Sequence, residues 1–156
     1  MTRIAMVCLG NICRSPMADV VLSHRLAQAG LTEFTVTSAG TGDWHVGEPM
    51  DTRAAQTLAS AGYDPSRHRA KNFDSTWFAA NELILTMDLA NRTDVLSLAQ
   101  SEADRAKVRP YRAFDPLAES PDAEVPDPWY GELDGYVLVL DIVERTTDEL
   151  IRFLQR

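Results

Sequence analysis

The stretch Cys8-Leu9-Gly10-Asn11-Ile12-Cys13-Arg14-Ser15 lies between two segments of opposite character. Upstream, Arg3 to Val7 is a short apolar and partly β-branched run that ends near Gly10, the pattern of a short buried strand. Downstream, Ser15 stands where a helix N-cap belongs, Pro16 suits the first helical position, and Gly30 marks a C-terminal stop. Ala18, Val21, Leu22, Leu26 and Ala29 share one face of that helix, and Arg25 interrupts the stripe. A strand, a tight loop and a helix in immediate succession place the loop at the carboxyl end of a strand, the ligand position of open α/β sheets.

The rest of the chain repeats the alternation. Phe34 to Ser38 reads as a second strand, closed by Ala39-Gly40. Asp51 can cap a helix running to about Gly62, with Ala55, Leu58 and Ala59 on its inner side. Glu82 to Met87 holds the run Leu83-Ile84-Leu85 and reads as a third strand, followed by a helix from Asp88 to about Ala99. A fourth strand falls within Val108 to Phe114, with Pro110 weakening the pattern. After a loop rich in proline and acidic residues, Asp115 to Asp134, the last helix sets Val139, Ile142, Val143, Thr146, Leu150, Phe153 and Leu154 against Asp141, Glu144, Arg145, Asp148 and Arg152. Strands alternating with helices predict an α/β fold, with a four-stranded parallel sheet flanked by helices on both faces.

Bulk properties narrow the function classes. With 156 residues, 45% of them hydrophobic and 24% charged, the chain suits a single domain spanning 1–156 with a real core. A net charge of -8 argues against sequence-independent binding to nucleic acid, which needs a broad basic face. The N-terminal apolar run is too short for a signal peptide core, and no stretch has the length of a membrane span. Cytoplasmic location is therefore expected, with no membrane or nucleic-acid partner. Cys8 and Cys13 are the only cysteines, which leaves no disulfide framework and no four-ligand metal pattern. No metal and no other cofactor is expected.

The loop itself suggests anion chemistry. A tight turn into a helix N-terminus points backbone N–H groups inward, toward positive helix-dipole potential. Gly10 lets the backbone turn, Asn11 tolerates left-handed geometry, and Arg14 offers a planar fork for two phosphate oxygens. Such surroundings favour a thiolate at Cys8. A thiolate can attack phosphorus in line while the loop holds the other oxygens. The Ser15 hydroxyl is placed to assist the sulfur when it leaves. The plainer account makes Cys8 a buried strand-end cysteine and Arg14 a solvated residue. Cysteine, five residues and then Arg-Ser, set between a strand and a helix, favours the functional account.

Residue for residue, Cys8 to Ser15 resembles the signature of the low-molecular-weight protein tyrosine phosphatases, inner Cys13 included. The likeness continues through Ser38-Ala39-Gly40-Thr41, Trp44 with Val46-Gly47, Met87-Asp88 and Asp127-Pro128-Trp129-Tyr130. It implies the same four-stranded parallel sheet and the hydrolysis of phosphotyrosine in proteins through a phosphocysteine. Cys8 is then the nucleophile, Arg14 the anion grip, and Asp127 the acid that later serves as base. Leu9, Gly10, Asn11, Ile12, Cys13 and Ser15 complete the phosphate loop. Asn11, Ser38 and His68 resemble the polar network that holds its shape, and Asp88 the residue that orients the arginine. Trp44, Trp129 and Tyr130 would wall an aromatic slot, with Leu9 and Ile12 at its rim. Family members often carry tyrosine where Trp129 stands, which leaves the aromatic character intact.

Several of these positions have a second reading. His68, in Ser-Arg-His-Arg-Ala-Lys, equally fits a solvated basic patch, and Asp88 a simple helix cap. Cys13 fits a reversible disulfide with Cys8, as the resemblance implies, or a small buried apolar residue. Glu119, Asp122, Glu124, Glu132 and Asp134 read as surface acids. An arsenate reductase of the same fold would need further cysteines downstream, and none follows Cys13. A non-catalytic phosphotyrosine-binding module would be expected to lack Cys8 or Asp127. A phosphotyrosine-containing protein is the expected partner, bound by a monomer or weak dimer.

Overall fold

A computed structural model describes residues 1–156. Four parallel strands, β1 (Thr2–Cys8), β2 (Phe34–Gly40), β3 (Leu83–Thr86) and β4 (Val108–Pro110), form one sheet in the order β2-β1-β3-β4. Six helices accompany them: α1 (Arg14–Gln28), α2 (Thr52–Ser60), α3 (Thr76–Ala80), α4 (Leu89–Ser97), α5 (Glu102–Ala106) and α6 (Leu133–Leu154). None is long and apolar enough to cross a membrane.

β1 is an interior strand, and its side chains alternate between two cores. Ile4, Met6 and Cys8 join Met17, Leu22, Leu58, Tyr136 and Val143 on one face. Ala5 and Val7 join Phe73, Phe78, Ile84 and Val95 on the other. Being covered on both sides, β1 is buried from Ile4 to Cys8, which explains its unbroken apolar run. Because β2 and β3 flank β1, the chain leaves the sheet in opposite directions after β1 and β3. Cys8 and Met87-Asp88 therefore meet at the carboxyl edge where the strand order switches, the crevice in which such sheets bind ligands.

Several local expectations are corrected. Ser15 is not the cap of α1. The helix begins two residues earlier, at Arg14 with Cys13 at the cap, and Ser15 turns its hydroxyl back toward the loop. On α2 Ala54, Thr57 and Leu58 are buried and Ala55 packs half-buried against the core as expected, whereas Ala59 is exposed. β4 stops at Pro110, and Tyr111 to Phe114 forms a 3-10 turn. The short helices α3 and α5 have too few residues to show a period. Arg25, the interruption on α1, extends to Glu144 and Asp148 on α6, so it crosses the helix pair as an ion-pair bridge.

Candidate active site

After β1 the backbone makes a single left-handed step. Asn11, at φ 57°, is the only non-glycine residue with positive φ, the conformation its type tolerates best after glycine. Gly10 needs no such φ. Its lack of a side chain instead admits the His45 ring, whose Cδ2 would lie 3.2 Å from a Cβ there. From Leu9 to Cys13 no backbone N–H finds an acceptor within the protein. Successive free donors at the start of a 15-residue helix form an anion-binding concavity.

Side chains behind the loop fix that shape. Asn11 Nδ2 donates to Ser15 Oγ at 2.8 Å and to Ser38 Oγ at 3.0 Å, while its Oδ1 accepts from the Lys71 N–H at 2.9 Å. The Ser15 oxygen already accepts from Asn11, so its own hydrogen is free for Cys8 Sγ, 2.9 Å away. His68 donates from Nε2 to the Asn11 carbonyl at 2.6 Å. It is 8% exposed, so it is not part of a solvated patch. Burial pushes its pKa down, with Lys71 and Arg69 adding to the effect against the carbonyl bond, which suits a neutral ring carrying its hydrogen on Nε2.

Arg14 is buried at the first turn of α1 and is held from two sides. Nη1 donates to Asp88 Oδ2 at 2.7 Å and to the Val125 carbonyl at 3.1 Å. Burial opposes its charge, but Cys8, Asp88 and Asp127 together more than offset this and raise its pKa. Asp88 fills both roles anticipated for it. Its Oδ1 accepts from the Asn91 N–H at 2.7 Å and caps α4, while Oδ2 takes the arginine.

Asp127 comes from far along the chain to stand 3.6 Å from Arg14 Nη2 through Oδ2. Its Oδ1 accepts from the Trp129 N–H at 3.1 Å, which folds the loop back behind the carboxylate. About a third of the side chain remains open to solvent.

A cavity of about 260 Å³ gathers these groups. Cys8, Leu9, Gly10, Ile12, Cys13 and Arg14 make its floor and near side, and Trp44, His45, Asp127, Trp129 and Tyr130 its walls. Trp44 folds over Gly42, where any Cβ would meet the indole at 2.0 Å. Tyr130 is 92% exposed and stands at the mouth rather than deep in the slot. Cys13 is buried, with its sulfur 3.4 Å from the Tyr136 hydroxyl, and burial pushes its thiol up to about 12. Both cysteines are free thiols. No three His, Cys, Asp or Glu side chains gather in a metal-binding cluster.

His45, Arg53 and Tyr136 carry no functional signal in the sequence, and Asp51 shows there only as a helix cap. Its N–H also donates to the Ile12 carbonyl at 2.9 Å and fastens α2 to the phosphate loop. Tyr136 lies within the α6 pattern, and only its contact with Cys13 distinguishes it from ordinary core.

The sequence profile described as low molecular weight phosphotyrosine protein phosphatase matches residues 3–156. The chain belongs to this family. Among relatives, the low molecular weight protein-tyrosine-phosphatase of Streptomyces coelicolor is 42% identical over 150 residues, covering 96% of this chain and 91% of that protein. The low molecular weight protein-tyrosine phosphatase A of Mycobacterium tuberculosis is 40% identical over 90% of this chain and 84% of its own length. A crystal structure of a protein tyrosine phosphatase from Entamoeba histolytica superposes with a TM-score of 0.92 at 33% identity, covering 99% of this chain and 97% of that one. The family match and the superposition both span essentially the whole chain.

Proposed function

We propose that this chain, acting as a single domain, hydrolyses phosphotyrosine and related aryl phosphate monoesters in proteins through a phosphocysteine intermediate. One observation carries the reading. The Cys8 sulfur, the Arg14 guanidinium and the Asp127 carboxylate open into one cavity whose floor is a run of unpaired backbone donors.

In the first step the Cys8 thiolate attacks phosphorus in line, and the ester oxygen leaves. The loop N–H groups and Arg14 hold the nonbridging oxygens and stabilise their charge in the transition state. Asp127, protonated for this step, gives its proton to the phenolic oxygen. Such a general acid contributes on the order of a hundredfold to ten-thousandfold. In the second step the Asp127 carboxylate takes a proton from water. The resulting oxygen attacks phosphorus, and sulfur leaves as thiolate with the Ser15 O–H directed at it.

Trp44, Trp129 and Tyr130 make the walls apolar and aromatic, which suits a phenyl ring on a deep phosphate better than a short aliphatic ester. The arsenate reductase reading finds no support, because it needs a third cysteine to pass a disulfide onward.

The test compares phosphate release from an aryl phosphate and a phosphotyrosyl peptide by the wild type and Cys8→Ser. Release by the wild type alone is expected. Equal release by both, or none by either, overturns the proposal.

A further inference from the structure

Resting on that reading, we propose that Arg53 is a positioning residue: it ties the far side of the acid loop to the phosphate loop and so sets how Asp127 meets the leaving group. The amino side of Asp127 is well anchored. Val125 donates to the Met87 carbonyl at 2.8 Å and accepts from Arg14 at 3.1 Å, and the Glu124 carbonyl accepts from Arg112 at 2.7 Å. The carboxyl side has far less. From Pro128 to Gly131 the backbone and side chains receive one hydrogen bond from outside the loop, from Arg53 Nη1 to the Gly131 carbonyl at 3.0 Å.

The same guanidinium lies 5.5 Å from the Trp129 ring and 4.8 Å from the Tyr136 ring. Its remaining edge grips Asp51, with Nε at 3.1 Å from Oδ1 and Nη2 at 3.1 Å from Oδ2. Asp51 in turn donates its N–H to the Ile12 carbonyl of the phosphate loop at 2.9 Å. The Gly131 carbonyl and the Ile12 carbonyl are therefore joined through the Arg53 side chain on α2 and the cap residue Asp51, whose carboxylate holds the guanidinium and whose N–H holds Ile12. Only a planar fork with several donors and a stacking face can make all of these contacts, and an ammonium could replace only part of them.

The experiment compares the wild type with Arg53→Ala and Arg53→Lys in three measurements. Hydrogen exchange is followed over 126–135 and over α1, Arg14–Gln28. Turnover numbers are measured for aryl phosphates of graded leaving-group acidity. Inorganic phosphate is used as a competitive inhibitor.

In Arg53→Ala, exchange over 126–135 should quicken several-fold while α1 stays protected, because opening is local. Turnover of poor leaving groups should fall about tenfold and of good ones by less than about twofold, as loss of acid positioning implies. The inhibition constant of phosphate should not change, and Arg53→Lys should fall between the two. Unchanged exchange over 126–135 overturns the inference, as does an equal loss for every leaving group or a matching loss of phosphate affinity. A wild type that releases no phosphate overturns the phosphatase reading instead, and the exchange measurement still decides the role of Arg53.

Discussion

Ser15 Oγ lies 2.9 Å from Cys8 Sγ while accepting a hydrogen bond from Asn11, so the serine proton is directed at the sulfur. That proton matters most when sulfur carries full charge, namely when it leaves the phosphoenzyme. Ser15→Ala should slow phosphocysteine hydrolysis more than its formation. A hydrogen bond to a charged group is worth roughly 1.5–3 kcal/mol, so turnover should drop roughly tenfold to a hundredfold. Rapid-quench kinetics should then show a burst of the phenol followed by a slower steady rate. Loss of the burst together with the steady rate would place the serine in the first step.

Asp127→Ala should slow aryl phosphates with poor leaving groups by roughly a hundredfold or more, and good leaving groups much less. Turnover numbers across a series of substituted phenyl phosphates check this. A uniform decline would mean that the carboxylate acts through Arg14, its neighbour at 3.6 Å, and not on the leaving oxygen.

Gly40→Ala tests the wall behind the phosphate loop. A Cβ at Gly40 would stand 2.6 Å from the Leu9 carbonyl and 3.1 Å from the Asn11 nitrogen, both backbone atoms that cannot move alone. The loop should be displaced, with inorganic phosphate binding at least about tenfold more weakly, since its donors act only when held in place. Inhibition by phosphate measures the effect directly, and unaltered affinity would show that the loop adapts.

Asp115 should govern part of the acid sensitivity of the fold. Its side chain is fully buried and is held by Arg112 at 2.9 Å and by Arg145 at 2.8 Å. Burial alone would raise its pKa, but Arg145, the Leu117 N–H and Arg112 outweigh burial and leave it below the ordinary carboxylate value. A depressed folded-state pKa means that the stabilisation is complete above the unfolded value of about 4 and is lost as pH falls through the folded one. Asp115→Asn should cost about 3 kcal/mol near neutrality, because two guanidinium groups lose the carboxylate charge that they pair with. Urea unfolding of both proteins between pH 7 and 2 should show that difference shrinking below about pH 4. A pH-independent difference would exclude the charge as its origin.

Cys13 and Cys8 should differ sharply toward alkylating agents. Burial holds the Cys13 thiol near 12, so almost none of it is thiolate at neutral pH. Brief iodoacetate treatment followed by peptide mapping should modify Cys8 alone. Comparable labelling of Cys13 in folded protein would show that the loop opens far enough to expose it.

What the sequence revealed depended on how local the signal was. β1, the phosphate loop and α1 are contiguous, so Cys8, Asn11 and Arg14 could be assigned from strand, turn and cap chemistry alone. Asp127 could not be. It is one acid among several in an irregular loop, and its selection depended on family likeness until the 3.6 Å approach to Arg14 set it apart. His68 is ambiguous in the sequence because its neighbours are mostly basic or polar, and only the fold turns it inward to the Asn11 carbonyl. Arg53 was invisible because its partners lie at positions 51, 129, 131 and 136, and no sequence period links them. Short helices such as α5 escaped for a simpler reason: one turn carries no amphipathic pattern.

Asp88 divides its two oxygens between the start of α4 and the guanidinium of Arg14. A change at this one carboxylate would loosen the sheet's far flank and free the anion grip in the same stroke. Durability of the fold and strength of the catalytic grasp are thereby locked together at position 88, and no single substitution there can improve one while leaving the other alone.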